Sequence, residues 1–375
     1  MEKIRIAVIG AGAVTSTVHL PIVTRRTDLF HISALFDLNE KAVASLGERF
    51  AISSAKQFSS ADAMFAAGNL DAVLLLNSGS HADLVVHALS EGLDVFCEKP
   101  LVYTHREIAE IKAALLHSGK KLMVGYMKTH DHAVRQAAKL IASEGKPRTV
   151  DALVLHPSGE SQLATSEVSL NQPAPSQELR TKFATMDTAI VEEALGAFAP
   201  HIGSFYTNVL CGSLIHELSV LRALGLEITK VDFVDRWPAN TSTESIIVLA
   251  RTADDVRITL RWLYIENYPE YQEEVMWVGE HSSHHIQFGS PYFLRYPTKL
   301  TSITNTAGGL QKAEYTSYKG AFETELEEFA DMVKTSTQRG NDISAAESDL
   351  RVLQLIAKKI AEIEGLDFGG DLARQ

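Results

Sequence analysis

Lys99, in Val95-Phe96-Cys97-Glu98-Lys99-Pro100, stands just past the carboxyl end of an apolar run that reads as a buried strand. A partly desolvated lysine there can accept the proton of a carbinol hydroxyl or hold the alkoxide by charge, as hydride transfer from a C–H bond requires. Open α/β sheets bind their ligands at that edge. The competing reading is a surface lysine paired with Glu98, and the strand-end position and the following proline weigh against it. A second site lies upstream, where Ile6-Ala7-Val8-Ile9-Gly10-Ala11-Gly12-Ala13-Val14-Thr15 ends a strand and opens a helix. Gly10 permits the sharp turn and Gly12 lets the backbone approach a pyrophosphate. The exposed amides around Ala13 and Val14, with the helix dipole behind them, favour that anion. Thr15 replaces the usual third glycine, which predicts a slightly displaced helix. Taken alone, the loop can equally be a tight structural turn. Asp37, ending the second strand, adds weight because its carboxylate can accept hydrogen bonds from an adenosine ribose. It would also repel a 2′-phosphate, and neither Leu38 nor Asn39 is an arginine, so NAD is expected over NADP. Capping of the helix that starts at Glu40 is the other role open to Asp37.

These residues need a frame to hold them. From 4 to 123 the chain alternates short aliphatic runs with helical stretches, the rhythm of a doubly wound parallel sheet. Strands are expected over 4–9, 32–36, 72–76, 95–97 and 122–124, and helices over 15–24, 40–50, 61–66, 82–91 and 105–117, with Gly92 and Gly119 as stops. After Gly125 the pattern changes. A helix over 133–143 and a strand over 148–155 lead into a polar stretch, 157–177, that reads as a loop or lid. A helix over 213–224 precedes strands over 230–236, 244–250, 256–262, 273–278 and 284–288, joined by short turns. That order predicts an α+β second domain with an open, mostly antiparallel sheet. Amphipathic helices over 324–335 and 344–364 close the chain. The expected domains are 1–125, 126–340 and a C-terminal helical segment, 341–375, packed back on the body.

The 375 residues suffice for two to three domains, and 45% hydrophobic with 22% charged residues is a globular balance. A formal charge of −12 argues against a nucleic-acid partner. With only Cys97 and Cys211, reduced thiols in a cytosol are the simpler reading. Met1-Glu2-Lys3-Ile4-Arg5 runs straight into a strand with no signal-peptide apolar region, and no apolar run is long enough to span a membrane. Cytoplasm is the expected location, with no membrane partner.

Several segments together resemble the glucose–fructose oxidoreductase/inositol dehydrogenase (Gfo/Idh/MocA) family over nearly the full length. They are Gly10-Ala11-Gly12 with His19-Leu20-Pro21, Asp37, Asp71-Ala72-Val73 leading to Asn77-Ser78 and His81, Glu98-Lys99-Pro100-Leu101, Val124-Gly125-Tyr126-Met127-Lys128, and Glu325-Leu326-Glu327-Glu328-Phe329. The resemblance implies a Rossmann-type cofactor domain and a second domain whose open sheet carries substrate and assembles a homodimer or homotetramer. The implied reaction is oxidation of a sugar or polyol hydroxyl, or its reverse. Asn77, Ser78, His81, Glu98 and Lys99 join the cofactor set, Lys99 and His216 become the catalytic pair, and Tyr126, Lys128 and His216 contact substrate. The sequence departs from the family pattern where Gly212 stands four before His216 in place of an Asp, so another acid, such as Asp187 or Glu217, is needed. His216 is either a proton relay or a hydrogen-bonded core residue. Lys128 supplies either a substrate-facing charge or a solvated one beside the helix start at Asp131. Thr129 and His132 replace the family's frequent Arg and Pro.

No metal is expected. His284 and His285 on an extended segment point to opposite faces, and neither His281 nor the pair His130 and His132 completes a ligand set. Asn240-Thr241-Ser242 fits a glycosylation acceptor only by accident, and Cys97 beside Glu98 is a small buried side chain rather than a nucleophile. The main reading is an NAD-dependent oxidoreductase acting on a hydroxylated small molecule. Two alternatives stand beside it: an NAD-binding sensor without turnover, and NAD-assisted glycoside cleavage or elimination.

Overall fold

The computed structural model describes residues 2–165, 173–238 and 244–375. Six parallel strands, β1 (Ile4–Ile9), β2 (Phe30–Phe36), β3 (Gln57–Phe58), β4 (Ala72–Leu75), β5 (Asp94–Glu98) and β6 (Leu122–Gly125), form one sheet in the order β3-β2-β1-β4-β5-β6. Every residue of β4 and β5 is buried, as strands covered on both faces require. The order reverses between β1 and β4, which opens a crevice at their carboxyl ends, and Gly10 follows β1 directly into it. The displaced helix takes a specific form. Thr15–His19 is a π-helical turn that passes into the α-helix Leu20–Arg25, and the β-branched Thr15 is fully buried where a glycine would let helix and strand approach. Helix His105–Ser118 begins in a reciprocal cap between Thr104 and Glu107 and stops at Gly119, whose φ of 66° is left-handed.

Eight strands form the second sheet: β7 (Thr149–His156), β8 (Ile228–Trp237), β9 (Ser245–Thr252), β10 (Arg257–Tyr264), β11 (Gln272–Val278), β12 (Ser282–Phe288), β13 (Lys299–Thr306) and β14 (Gly309–Thr316). Their order is β14-β13-β12-β11-β7-β10-β9-β8, antiparallel except for the central pair β7 and β10. Along β7, Val150, Ala152 and Val154 are buried, and helix His132–Ile141 packs on β12, β13 and β14. Exposed Phe233, Leu249, Met276 and Ile303 sit at the alternate positions, on the opposite face.

Three differences from the sequence-based expectation stand out. Strands β13 and β14 went unread because Thr, Ser, Asn and Gly on both faces leave them little apolar alternation, and β14 is a largely exposed edge. The polar stretch 157–177 contains the helix Gly159–Thr165, and a long helix, Gln177–Leu195, follows it. The helix expected over 213–224 is π-helical across Tyr206–Leu214 and α-helical only across Ile215–Ala223. The glycosylation triplet at 240–242 lies outside the described residues.

By contact the chain divides into two compact units. One comprises Met1–Tyr126, Ser169–Ala194 and Glu325–Leu350, and the other Met127–Val168, Leu195–Thr324 and Arg351–Gln375. Residues 325–350 thus join the first unit, where Phe329 packs edge-on against Phe96 at 5.6 Å between ring centroids, a contact worth about 0.5–1.5 kcal/mol beyond area burial. No described helix is long and apolar enough to cross a membrane.

Candidate active site

In the first unit, Gly10 has φ of 106°, and a Cβ there would lie 2.5 Å from the backbone nitrogen of Asn77. Only glycine fits. Gly12 is exposed, with nothing within 4 Å of a Cβ, which is the room a pyrophosphate needs above the half-buried Ala13 and Val14 at the helix start. Asp37 accepts from Ala11 N at 2.7 Å and from Asn39 N at 2.7 Å, one bond to each oxygen. The lone pairs that remain on the half-buried carboxylate can still take ribose hydroxyls. Asn77 donates to Ser78 O at 3.1 Å, while its buried Oδ1 has no hydrogen-bond partner, and Ser78 is exposed beside it. Room at Gly12, a free amide oxygen at Asn77 and an acid at the end of β2 together fit a dinucleotide.

His81 ties this crevice to the lysine. Its ring is 1% exposed and lies between two carbonyls, with Nδ1 2.7 Å from Pro100 O and Nε2 2.8 Å from Asn77 O. Burial lowers its pKa against the pull of both carbonyls. Both nitrogens face backbone, and His81 therefore positions the two loops instead of presenting a nitrogen to a cofactor. Glu98 is likewise occupied. One oxygen lies 2.8 Å from His19 Nε2, and the other accepts from Lys99 N at 3.1 Å. Burial alone would raise this carboxyl, but the hydrogen bond and charge of His19, together with Lys99, outweigh burial and hold it below its ordinary value. Lys99 is half-buried and belongs to a cis Lys99-Pro100 bond. Tyr126, expected to line the site, is fully buried. Asp187 approaches the same crevice, its Oδ1 3.1 Å from a Cβ at Gly79, and burial raises its carboxyl. Asn39 donates to Pro173 O at 2.8 Å, so the segment that carries Asp187 is also anchored beside Asp37.

In the second unit the expectation for Lys128 changes. The side chain is buried, its ammonium contacts Glu273 directly and lies 3.5 Å from Glu217, and it sits 5.2 Å over the Phe288 ring. It is therefore a clamped charge rather than one free for substrate or solvent. Tyr271 donates to Glu273 Oε2 at 2.7 Å. The two acids divide their protonation. Burial, with Glu273 adding to it, holds Glu217 well above the ordinary range. Glu273 is pulled down against its own burial by the Lys128 charge and by hydrogen bonds from Glu217, Lys128 and Tyr271. The two carboxyls titrate as a pair. His216 is half-buried on helix Ile215–Ala223, next in sequence to Glu217. Gly212 lies in the π-helical segment, where the four-residue spacing of an α-helix does not hold, and a Cβ there would meet Thr207 O at 3.0 Å.

Around this cluster stand rings that sequence reading missed. His156 ends β7, its centroid 5.1 Å from Trp262, 6.3 Å from Tyr264 and 5.9 Å from Tyr271, and Trp262 donates to Ser213 Oγ at 2.8 Å. Glu273 had a readable signal, since its alternation with Val275 and Trp277 puts an acid on a buried face, where it needs a cation. Nothing local marks the rings. Cys97 and Cys211 are buried and in no disulfide, and burial, with Glu98 adding to it, pushes the Cys97 thiol up. His284 and His285 bind different acids, Glu144 at 2.9 Å and Glu274 at 2.8 Å, and among the described residues no cluster of three or more potential ligands could hold a metal.

Comparison with known proteins bears on both units. A family model for Gfo/Idh/MocA oxidoreductases, described as an NAD-binding Rossmann fold, matches residues 4–126. An inositol 2-dehydrogenase from Pseudomonas savastanoi pv. phaseolicola is 26% identical over 346 residues, 90% of this chain and 88% of that protein. Residues 4–126 thus carry the cofactor-binding fold of the Gfo/Idh/MocA family. Solved structures share the fold of this chain. The aldose-aldose oxidoreductase from Caulobacter crescentus superposes with a TM-score of 0.72 at 18% identity, covering 96% of this chain and 98% of that one. A 3-ketoreductase from Actinomadura kijaniata, solved with NADP and TDP-benzene, gives 0.68 at 16% identity, with 95% and 97% covered.

Proposed function

We propose that this protein is an NAD-dependent dehydrogenase that oxidises a secondary hydroxyl of a polyol or sugar. One observation carries the reading. Gly10 abuts Asn77, and His81 joins Asn77 O to Pro100 O, so the glycine turn and Lys99 share one edge of a single unit. When bound, the nicotinamide supplies the acceptor for the hydride that leaves the carbinol carbon. Lys99 takes the hydroxyl proton or holds the alkoxide by charge, and Glu98, fixed by His19, sets the position of the Lys99 backbone. Asp37 would hold the adenosine ribose and repel a 2′-phosphate, which favours NAD over NADP. His216 assists in proton movement, and Asp187 and Glu217 are the candidates for the acid that Gly212 does not supply. The exposed Phe233, Leu249, Met276 and Ile303 favour pairing of copies through the open sheet face.

The test is a panel of polyols and sugars with the full-length protein and NAD, read as formation of reduced nicotinamide, with calorimetric titration of NAD and NADP beside it. Turnover with NAD and tighter binding of NAD than NADP are expected. Absence of affinity for either coenzyme overturns the reading.

A further inference from the structure

We infer that the second unit selects an electrically neutral ring-bearing polyol or sugar and turns away sugar acids, sugar phosphates and nucleotide-linked sugars. The inference rests on the dehydrogenase reading and names its substrate class. The end of β7 and β10 carries a wall of rings, His156, Trp262, Tyr264 and Tyr271, in stacked, tilted and edge-on contact. Of these, Tyr271 lines a cavity in which Phe288, Phe293 and Tyr296 add an apolar surface for the C–H side of a cyclic polyol, while Gln162 and Tyr271 offer polar atoms to its hydroxyls. The cavity is about 90 Å³, and its one charged lining residue is Glu270. A neighbouring cavity of about 60 Å³ is bordered by Lys128 and the exposed Lys319, set against Asp131 and Glu273.

Across the two cavities the acids outnumber the bases. Lys128, the buried cation, is already neutralised by its contact with Glu273, with Glu217 lying 3.5 Å away. An incoming carboxylate or phosphate would have to displace a buried carboxylate from that ammonium or lie beside Glu270, Asp131 and Glu273 with Lys319 the one other cation lining the two cavities. A neutral ring meets neither obstacle. Selectivity comes from repulsion as well as from contacts to the ring.

The experiment compares matched probes, D-glucose against D-glucuronate and D-glucose 6-phosphate, and myo-inositol against its monophosphate, on the NAD-saturated full chain. Calorimetric binding and steady-state kinetics are measured together. Each neutral member is expected to exceed its anionic partner at least about tenfold in affinity and in kcat/KM. Salt should narrow the gap by screening the repulsion. Glu217→Gln combined with Glu273→Gln frees Lys128 and should raise anion binding about tenfold relative to the neutral probe. If that variant does not fold, the salt dependence of the wild-type ratio decides. An anionic probe that binds or turns over as well as its neutral partner overturns the inference and leaves the dehydrogenase reading intact. Selective binding of the neutral probe without reduced nicotinamide overturns the dehydrogenase reading and supports the inference. Binding of neither class overturns the inference.

Discussion

At the carboxyl edge of the first sheet, working residues sit at the ends of consecutive strands, and short loops deliver them: Gly10 after β1, Asp37 after β2, Asn77 after β4 and Lys99 after β5. At the end of β7 and β10, Lys128, Glu217, Tyr271 and Glu273 arrive from a 3-10 turn, a helix and the start of β11, far apart in sequence. The two regions also treat charge differently. Lys99 is half-buried, and its neighbour Glu98 is held by His19. Lys128 is buried between two carboxyls, one of them held well above the ordinary range by burial. The first lysine is the one proposed to act on substrate and the second is held in charge balance, although both stand beside strand ends and read alike in sequence.

The largest expected effect sharpens that contrast. Lys99→Met should lower kcat by about 10²–10⁴ with NAD affinity by calorimetry unchanged, because a general acid–base group is lost and the backbone is not. Lys128→Met would erase the contrast if it did the same. Next comes stability. Replacing both Glu217 and Glu273 by Gln leaves a buried ammonium without a counter-charge and should cost about 3–5 kcal/mol in urea unfolding. Glu273→Gln alone should cost less, since Glu217 can take over the ammonium, and Glu217→Gln least, since burial disfavours the charged form of that carboxyl. Equal costs for the three variants would show that the acids do not share the ammonium.

On the cofactor side, Asp37→Ala should raise the KM for NAD about tenfold and narrow the preference over NADP, as expected for charge-assisted hydrogen bonds to a ribose. An unchanged ratio would return Asp37 to a capping role. The smallest effect is a slope. Glu325 is fully buried in the first unit, and burial, then Glu98 and Glu328, push its carboxyl well above the ordinary range. The folded chain keeps that proton where the unfolded chain has lost it. Stability therefore falls as pH rises from the ordinary glutamate value toward the raised one. Glu98 has the opposite sign, since its lowered pKa contributes stability that is lost as pH falls. Glu325→Gln should flatten the decline on the alkaline side in pH-dependent thermal melts, leaving the acid side to Glu98.

The first sheet was legible because its signals are local. A glycine whose φ must be 106°, an acid at a strand end and a lysine after a buried strand are each written within a few residues. His81 and Glu98 were found as part of that edge, but their role changed once both ring nitrogens and both carboxylate oxygens proved to be committed inside the protein. In the second unit the strand pattern from β8 to β12 could be read from alternation, whereas the polar β13 and β14 could not. The π-helical Tyr206–Leu214 defeated the spacing argument at Gly212, because sequence periodicity assumes 3.6 residues per turn.

What the sequence determined by itself was the set of parts, namely a parallel βαβ frame, a dinucleotide loop, a strand-end lysine and a later mostly antiparallel sheet. Tertiary structure alone decided which charges are available. Whether a lysine is free or clamped, and whether a glutamate keeps its proton, depends on desolvation and on partners brought from 145 positions away, as Glu273 is to Lys128. Residue type and spacing fix local geometry, but the dielectric around a side chain is set by everything the fold packs against it.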